Sequence, residues 1–305
     1  MDKIIITTGD PNGIGAEITM KALKALNLPK EKIAIISNKK ILNYYGKLDK
    51  NYEIIEIPYN ENDIKAGQVT KEAGEFSFQS LKLACELKPK AIVTAPVAKN
   101  ALHLAGHNFN GQTEVLQHFL AHDNQLAEML FVANGFRVLL LTRHCALKEI
   151  TLTQDVVVTK IKNLVKTFQK QFSINNPKFA LCGFNPHSGE DGILGREEID
   201  ILIPAVQELQ NAGIDITMPL PADTLFVDAA KNYLKNTKDK YDCYIANYHD
   251  QGLIPIKTVA GENTVNMTIG LDIVRTSPGH GTAFDIAGKN IASPNGMIAA
   301  IKEVL

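Results

Sequence analysis

Short runs of consecutive apolar residues, separated by segments with helical periodicity, constrain the fold of this chain more than any other feature. The clearest runs are residues 4–8, 32–36, 91–96 and 244–246. Strands that are buried on both faces of a parallel sheet have such continuous apolar runs. Longer segments with helical spacing lie between the runs, for example residues 70–87 and 155–170. The sequence therefore predicts an α/β fold with a mixed, mostly parallel sheet.

One segment interrupts this alternation of strand and helix. Residues 129–135 and 136–141 are two apolar runs that meet at Asn134-Gly135, a dipeptide typical of a two-residue hairpin turn. The hairpin indicates a second subdomain with antiparallel strands, and a length of 305 residues suits two domains. We predict two α/β/α domains, formed by residues 1–115 plus 263–305 and by residues 116–262, with the active site in the cleft between them.

Composition argues against several classes of partner. The net charge is -1 and charged residues make up 21% of the chain, so neither nucleic acid nor an anionic membrane is an expected partner. No segment approaches the apolar length of a membrane span, and the first residues predict a strand rather than a signal peptide. The scattered cysteines form no CxxC pair and are typical of reduced residues in the core of a cytoplasmic protein. They are Cys85, Cys145, Cys182 and Cys243.

Three histidines follow apolar runs at the points where the predicted strands end. They are His144, His187 and His249. In open α/β sheets, ligands bind outside the carboxyl ends of the strands. A single histidine there would be read as an ordinary hydrogen-bonded residue, whereas three at equivalent places favour a shared divalent metal. Their distant positions in the sequence match no short zinc pattern, so the fold must bring them together.

Two turns that precede helices have two interpretations each. Residues 9–15 are rich in glycine but lack the G-x-G-x-x-G spacing, so they predict either a phosphate-binding loop or a tight turn capped by Asn12. Thr113 precedes the apolar helix predicted at residues 115–120. It is expected either to cap that helix or to contact a phosphate, and the sequence alone favours the cap.

Two further stretches place polar groups on constrained backbone. Pro219 and Pro221 precede Asp223, which predicts a rigid turn that presents a carboxylate. Residues 279–283, Gly-His-Gly-Thr-Ala, come before a predicted helical run. Such a glycine-rich turn is typical of close backbone approach to a ligand.

These motifs in combination resemble one known family, the 4-hydroxythreonine-4-phosphate dehydrogenases of pyridoxal phosphate biosynthesis. The resemblance covers nearly the whole chain, and its most specific motif is Tyr-His-Asp-Gln-Gly at residues 248–252. The other motifs lie at residues 9–15, 185–187, 221–224 and 275–283. The stretch 280–289 is also similar to the adenine-side loop of isopropylmalate and isocitrate dehydrogenases, which share the fold.

The resemblance implies that NAD or NADP oxidises the secondary alcohol of 4-hydroxythreonine 4-phosphate, and that loss of carbon dioxide then gives 3-amino-2-oxopropyl phosphate. It implies one divalent metal ion per site, zinc, magnesium or cobalt, held by His144, His187 and His249. The implied substrate-binding residues are Gln112, Thr113, Lys257, Asn266 and Arg275. The implied cofactor-binding residues are Gly281, Thr282, Ala283 and Asp285. A homodimer with a shared active site is implied as well, in which His249 of one chain would complete the site that holds His144 of the other.

Several of these residues have a second possible role. Lys257 is expected either to take the alcohol proton as a catalytic base or to serve as a counter-ion to a substrate anion. Asp223 and Asp250 are expected to orient or supplement the metal ligands, or else to form a helix cap or a local turn. Gln112 stands where the family usually has histidine, and a glutamine donates a hydrogen bond without adding positive charge.

Other functions remain open from the sequence. Three histidines with nearby carboxylates also suit a metal-dependent hydrolase that activates water. Relatives that oxidise other phosphorylated hydroxy acids could share the same motifs. A phosphate-ester binding protein that uses only the glycine-rich loops would need no metal at all.

Overall fold

The computed structural model describes residues 2–122 and 125–305. The chain divides into two units, Met1–Ala127 with Val265–Leu305, and Glu128–Thr264. Each unit has helices beside a mixed, mostly parallel sheet, which confirms the predicted fold class. The predicted domain boundary between residues 115 and 116 lies inside the first unit, which extends to Ala127.

Strands and helices alternate along most of the chain. The strands are β1 (Ile4–Thr7), β2 (Ile33–Ser37), β3 (Glu53–Glu56), β4 (Ala91–Thr94), β5 (Glu128–Ala133), β6 (Phe136–Leu140), β7 (Lys178–Leu181), β8 (Asp215–Ile216), β9 (Cys243–Ala246), β10 (Val265–Ile269) and β11 (Val274–Pro278). The helices are α1 (Gly15–Leu26), α2 (Lys39–Tyr45), α3 (Lys71–Glu86), α4 (Lys99–Leu104), α5 (Gln112–Leu120), α6 (Gln154–Gln171), α7 (Ile203–Asn211), α8 (Ala222–Lys235), α9 (His249–Ala260) and α10 (Asn295–Lys302).

In the first unit the strand order is β3-β2-β1-β4-β11-β10, and every neighbouring pair is parallel except β11 with β10. Successive residues of β1 face different cores, because side chains alternate across a strand. Ile4 and Ile6 pack with residues of α1 and α10, whereas Ile5 packs with residues of α3 and α5. Burial of both sheet faces explains why these strands are continuous apolar runs.

In the second unit the strand order is β5-β6-β9-β7-β8. Strands β5 and β6 form the predicted antiparallel hairpin, which turns at Asn134 (φ 44°) and Gly135 (φ 88°). Strand β6 also pairs in parallel with β9, so the hairpin is part of the sheet of this unit and not a separate arm. Residues of α8 and α9 pack against one face of this sheet.

Three smaller features refine the sequence expectations. Residues after 283 form successive turns instead of the predicted helix, and Ala283 has a left-handed backbone (φ 44°). All four cysteines are free thiols, but Cys145 is exposed while the other three are buried. Across residues 2–122 and 125–305, no helix combines the length and the apolar character that a membrane crossing requires.

Candidate active site

Two of the three predicted metal ligands come together in the second unit. Strands β6 and β9 are parallel neighbours, so the segments that follow them start at the same edge of the sheet. The ring centroids of His144 and His249 are 5.5 Å apart. The ring centroids of two imidazoles bound to one tetrahedral ion are expected roughly 5 Å apart, because each metal–nitrogen bond is about 2.1 Å long. The two rings line a cavity of about 320 Å³ and fit one divalent ion as a pair of ligands.

His187 does not join this pair within the chain. It follows β7, which also neighbours β9, but it does not line the cavity of His144 and His249. In the part of the chain that the structure describes, no three side chains of histidine, cysteine, aspartate or glutamate are grouped so that they could hold a metal ion. One chain therefore places two of the three predicted ligands at one point and the third at another.

Two of the histidines pair with a neighbouring carboxylate. Nδ1 of His249 lies 2.7 Å from Oδ1 of Asp250, and Nδ1 of His187 lies 3.0 Å from Oε1 of Glu190. Histidines that bind metals typically engage a carboxylate through their second ring nitrogen, which orients the ring and leaves Nε2 as the ligand atom. Asp250 is thus placed to orient His249. Asp223 lies exposed in the first turn of α8, whose N-cap is Pro221, so the alternative that Asp223 caps this helix is wrong.

A set of amide hydrogen bonds fixes the strand ends that precede these histidines. The side chain of Asn247 donates to the carbonyl of Cys182 (2.8 Å), and Gln251 donates to the carbonyl of Gly183 (2.7 Å). The hydroxyl of Thr142 donates to the carbonyl of Asn247 (2.7 Å). These bonds join the ends of β6, β7 and β9. Sequence reasoning missed Asn247, although an asparagine at the end of a fully apolar run was the available signal.

The turn that carries His187 has an unusual backbone. Residues 187–191 are five consecutive residues with φ between 42° and 83°, and only Gly189 among them is a glycine. Left-handed backbone costs roughly 1–2 kcal/mol for each residue with a Cβ. Strain of this kind persists only where the surrounding structure enforces it, and it is concentrated at functional sites.

Lys257 lies apart from the histidine pair of its own chain. It is an exposed residue of α9, eight positions after His249, which corresponds to about 12 Å along a helix axis. It does not line the cavity of His144 and His249. Within one chain, the candidate base Lys257 therefore lies more than two turns along α9 from His249, the candidate metal ligand at the start of that helix.

Arg275 is the most deeply buried charged residue among the predicted substrate contacts. It lies on β11 with 2% of its surface exposed. Its Nε donates to the hydroxyl of Thr94 (2.8 Å) and its Nη1 to the hydroxyl of Thr268 (3.4 Å). No carboxylate in residues 2–122 or 125–305 accepts a hydrogen bond from this guanidinium, and burial lowers the pKa of Arg275 to about 9. A buried cation without a counter-ion is costly and favours an anionic ligand.

Two buried amide oxygens belong to residues at the strands that flank β11. Gln112 donates to the carbonyl of Ala95 (3.2 Å), the residue after Thr94. Oε1 of Gln112 is buried without a hydrogen-bond partner, and so is Oδ1 of Asn266, whose strand pairs with that of Arg275. Buried polar atoms are normally satisfied in folded proteins. These two unsatisfied acceptors are therefore suited to the donor groups of a polar ligand.

The start of α5 corrects one expectation. The N-cap of this helix is Gly111, and no side chain caps it, so the prediction that Thr113 is the cap is wrong. No protein group among the described residues accepts a hydrogen bond from the backbone N–H of Gln112 or Thr113. Uncapped N–H groups at a helix start attract anions, which keeps the phosphate interpretation of Thr113 open.

The glycine-rich loop contacts the predicted cofactor segment. Asn12 does not cap α1, whose N-cap is Ile14; its side chain instead bonds Lys65, Gln68 and Thr70. The backbone N–H of Ile14 donates to the carbonyl of Thr282 (3.1 Å). A Cβ on Gly13 would lie 3.0 Å from that same oxygen. Of the predicted cofactor residues, Thr282 therefore touches the loop, Ala283 is half-buried beside it, and Gly281 and Asp285 are exposed.

A buried carboxyl group lies within the same loop. Asp10 is fully buried, and its Oδ1 accepts a hydrogen bond from the backbone of Asn12 (2.9 Å). Its Oδ2 has no hydrogen-bond partner. Burial raises the pKa of Asp10 to about 6 from an ordinary value of 3.8. Sequence reasoning named the loop but not this carboxyl group.

The chain is similar along nearly its whole length to proteins of one family. Residues 3–304 match the family model described as pyridoxal phosphate biosynthetic protein PdxA. The chain is 37% identical to a 4-hydroxythreonine-4-phosphate dehydrogenase from a Sulfurihydrogenibium species, over 99% of this chain and 97% of that protein. It is also 37% identical to a D-threonate 4-phosphate dehydrogenase from Salmonella typhimurium, over 98% and 97% of the two chains.

Solved structures show the same likeness. The crystal structure of 4-hydroxythreonine-4-phosphate dehydrogenase from Klebsiella pneumoniae matches with a TM-score of 0.85 at 32% identity, covering 100% of this chain and 98% of that one. An isocitrate dehydrogenase from Methylococcus capsulatus matches with a TM-score of 0.51 at 14% identity, over 99% and 85% of the two chains. The second likeness concerns the fold alone.

Proposed function

We propose that this chain is a dehydrogenase of 4-hydroxythreonine 4-phosphate. It belongs to the PdxA family of pyridoxal phosphate biosynthetic proteins. In this proposal the secondary alcohol of the substrate would be oxidised, with NAD or NADP as the hydride acceptor. The resulting 2-amino-3-oxo acid then loses carbon dioxide and gives 3-amino-2-oxopropyl phosphate. The observation that carries the proposal is the buried guanidinium of Arg275, which lacks a carboxylate partner among the described residues.

The first unit is proposed to bind the anionic groups of the substrate. Arg275 supplies a positive charge with a planar fork of donors, which suits a carboxylate or a phosphate. The uncapped N–H groups of Gln112 and Thr113 are suited to the phosphate. Asn266 is proposed to orient a donor group of the substrate through its unsatisfied Oδ1. Gln112 adds hydrogen bonds without charge, so most of the phosphate contact is assigned to Thr113 and the backbone.

The second unit is proposed to hold the divalent metal. The pairing of His144 with His249 at 5.5 Å supports this assignment, and so do the carboxylate partners of His187 and His249. When bound by these residues, a divalent ion would supply Lewis acidity for oxidation of the alcohol and for the decarboxylation. Asp250 keeps the ring of His249 oriented. Lys257 takes the alcohol proton or neutralises an anion of the substrate, and both roles remain open.

A homodimer would complete the metal site. His187 and His249 do not meet within one chain, so we propose that the His187 and His249 of one site belong to different protomers. Each histidine segment also carries a large exposed apolar side chain, as expected of a surface that a partner covers. These side chains are Leu147, Ile193 and Ile254, which are 68%, 80% and 63% exposed. Within one chain the ring centroids of His144 and His249 already lie 5.5 Å apart. The expectation that His249 of one protomer completes the site that holds His144 of the other stays a prediction.

The nicotinamide cofactor is assigned to the segment around Thr282. The assignment covers Gly281, Thr282, Ala283 and Asp285, and the contact of Thr282 with the glycine-rich loop supports it. A cavity of about 480 Å³, lined by Gly288 and Asn290 together with Tyr44, involves residues that follow this segment in the chain. Its volume lies in the range of small-molecule sites.

Dehydrogenase assays with two substrates test the proposal. Purified protein with a divalent metal and NAD or NADP is expected to give the near-ultraviolet absorbance of reduced nicotinamide when 4-hydroxythreonine 4-phosphate is added, together with carbon dioxide. The second candidate substrate is D-threonate 4-phosphate, because a relative of that name is as similar to the chain. The ratio of kcat/KM for the two compounds identifies the substrate. Release of phosphate without nucleotide reduction would instead indicate a hydrolase, and binding without turnover would indicate a binding protein.

A further inference from the structure

A buried carboxylate braces the left-handed turn that carries His187. Glu198 is 3% exposed. Its Oε1 accepts a hydrogen bond from the backbone N–H of Asn185 (2.7 Å), and its Oε2 accepts one from the side-chain amide of Asn185 (2.9 Å). Asn185 precedes Pro186 and His187, so these two bonds fix the backbone and the side chain at the entrance to the turn.

Two glycines allow the turn to close against this pair. A Cβ on Gly189 would lie 2.8 Å from Oε2 of Glu198, and a Cβ on Gly195 would lie 2.3 Å from Nδ2 of Asn185. Both distances are too short for a side chain. The turn therefore packs directly on the carboxylate, and the backbone N–H of Ser188 returns a hydrogen bond to the carbonyl of Asn185 (3.1 Å).

The position of Glu198 in the chain is also unusual. It begins a π-helical turn, Glu198–Leu202, that leads into α7, and such turns are frequent at functional sites. Hydrogen bonds to an ionised carboxylate are roughly twice as strong as neutral ones. Glu197 also accepts from the side-chain amide of Asn185 (2.6 Å), but it is only half-buried and does not reach the backbone of Asn185.

We infer that Glu198, acting through Asn185, is a positioning residue that sets where the imidazole of His187 lies. The inference rests on the proposed function, because it gives His187 the role of a metal ligand. Four residues with a Cβ stay left-handed in this turn only while the surrounding contacts enforce it. Without Glu198 the turn relaxes, His187 samples other positions, and the preorganised ligand is lost.

Cobalt binding to the full, metal-free protein tests the inference, with Co²⁺ alone as the probe and its visible absorption as the signal. Glu198→Ala is expected to weaken Co²⁺ binding about 10- to 100-fold, the range typical of residues that support a metal ligand. Glu198→Gln is expected to lose less, because its single amide oxygen can still accept from the backbone of Asn185. The matched control is Asp200→Ala, which removes an exposed acid of the same segment that pairs with Arg196 and is expected to leave Co²⁺ binding unchanged.

Hydrogen exchange of the metal-free proteins gives a second readout that does not depend on the metal. Glu198→Ala is expected to speed amide exchange in residues 183–196, while exchange in β6 and β9 stays as in the wild type. If Glu198→Ala does not fold, Glu198→Gln decides the outcome with the same two readouts. Wild-type affinity for Co²⁺ in both Glu198 variants would overturn the inference and leave the proposed function intact. Wild-type affinity in His187→Ala would instead overturn the metal role of His187, and the inference with it.

Discussion

Replacing Arg275 with methionine is expected to change the stability of the ligand-free protein little while weakening its response to phosphate. The guanidinium is buried, and its partners are two threonine hydroxyls at 2.8 and 3.4 Å. Exchange of a buried ion pair for apolar residues of similar volume is neutral or stabilises by about 1–4 kcal/mol, and removal of a lone buried cation is expected to fall in the same range. Thr94 and Thr268 lose a donor, and each lost hydrogen bond costs about 1 kcal/mol. The two contributions largely cancel, so we expect the free energy of unfolding to change by no more than about 2 kcal/mol in either direction.

Scanning calorimetry with and without inorganic phosphate measures both effects. For a chain of this length about 1 kcal/mol corresponds to roughly 2 °C, so Tm of the ligand-free variant should stay within about 4 °C of the wild-type value. A hundredfold excess of phosphate over its Kd stabilises the wild type by about 2.7 kcal/mol, or roughly 5 °C, and the same phosphate concentration should shift the variant less. Arg196→Met, which changes an exposed arginine, is the control and should alter neither value. A variant whose Tm falls by clearly more than about 4 °C, or whose phosphate shift is undiminished, would refute the reasoning.

Three further changes are expected to act on separate parts of the site. His187→Ala should abolish turnover and metal binding with the fold intact, as seen by metal analysis and circular dichroism; near-normal activity without metal would contradict this. Gln112→Ala should raise KM modestly with little change in kcat, because the residue adds no charge, and steady-state kinetics would reveal any larger role as a fall in kcat. Asp10 has a pKa of about 6 in the folded protein and 3.8 ordinarily, so its protonation stabilises the fold fully below about pH 4, and this stabilisation is lost as the pH rises through about 6. Between about pH 4 and pH 7, the free energy of unfolding of Asp10→Asn should therefore rise by about 3 kcal/mol relative to that of the wild type. Calorimetric profiles of stability against pH that run parallel for the two proteins would contradict this.

The fold and the histidine pair could be predicted because they depend on local patterns. Continuous apolar runs reveal buried parallel strands, and Asn134-Gly135 reveals the hairpin. Residues that follow neighbouring parallel strands meet at the same sheet edge, which places His144 beside His249. Strand β7 also neighbours β9, so strand order alone would bring His187 to the pair. The left-handed backbone of residues 187–191 is not visible in the sequence, so the sequence could not show that His187 stays outside the pair.

Contacts between distant residues account for most of what the sequence did not reveal. Asn12 has the character of a helix cap, but its side chain bonds residues 65, 68 and 70, more than fifty positions away. The left-handed turn at residues 187–191 is disfavoured by local propensity, and it forms because Glu198 and Asn185 hold it. Apolar spacing after Ala283 is typical of a helix, yet the left-handed backbone of Ala283 and the contact of Thr282 with Ile14 produce turns there instead.

In the proposed metal site His187 and His249 come from different protomers, and recombination of two inactive variants tests this arrangement directly. His187→Ala and His249→Ala are mixed after reversible dissociation. A heterodimer then has one site that lacks both ligands and one site that lacks neither, so about half of the wild-type activity per heterodimer should return by symmetry. Mixtures of His144→Ala with each of the two show which histidine crosses to the partner. If His187 and His249 of one site come from the same chain, every site in the first mixture stays broken and no activity returns, which would contradict the claim.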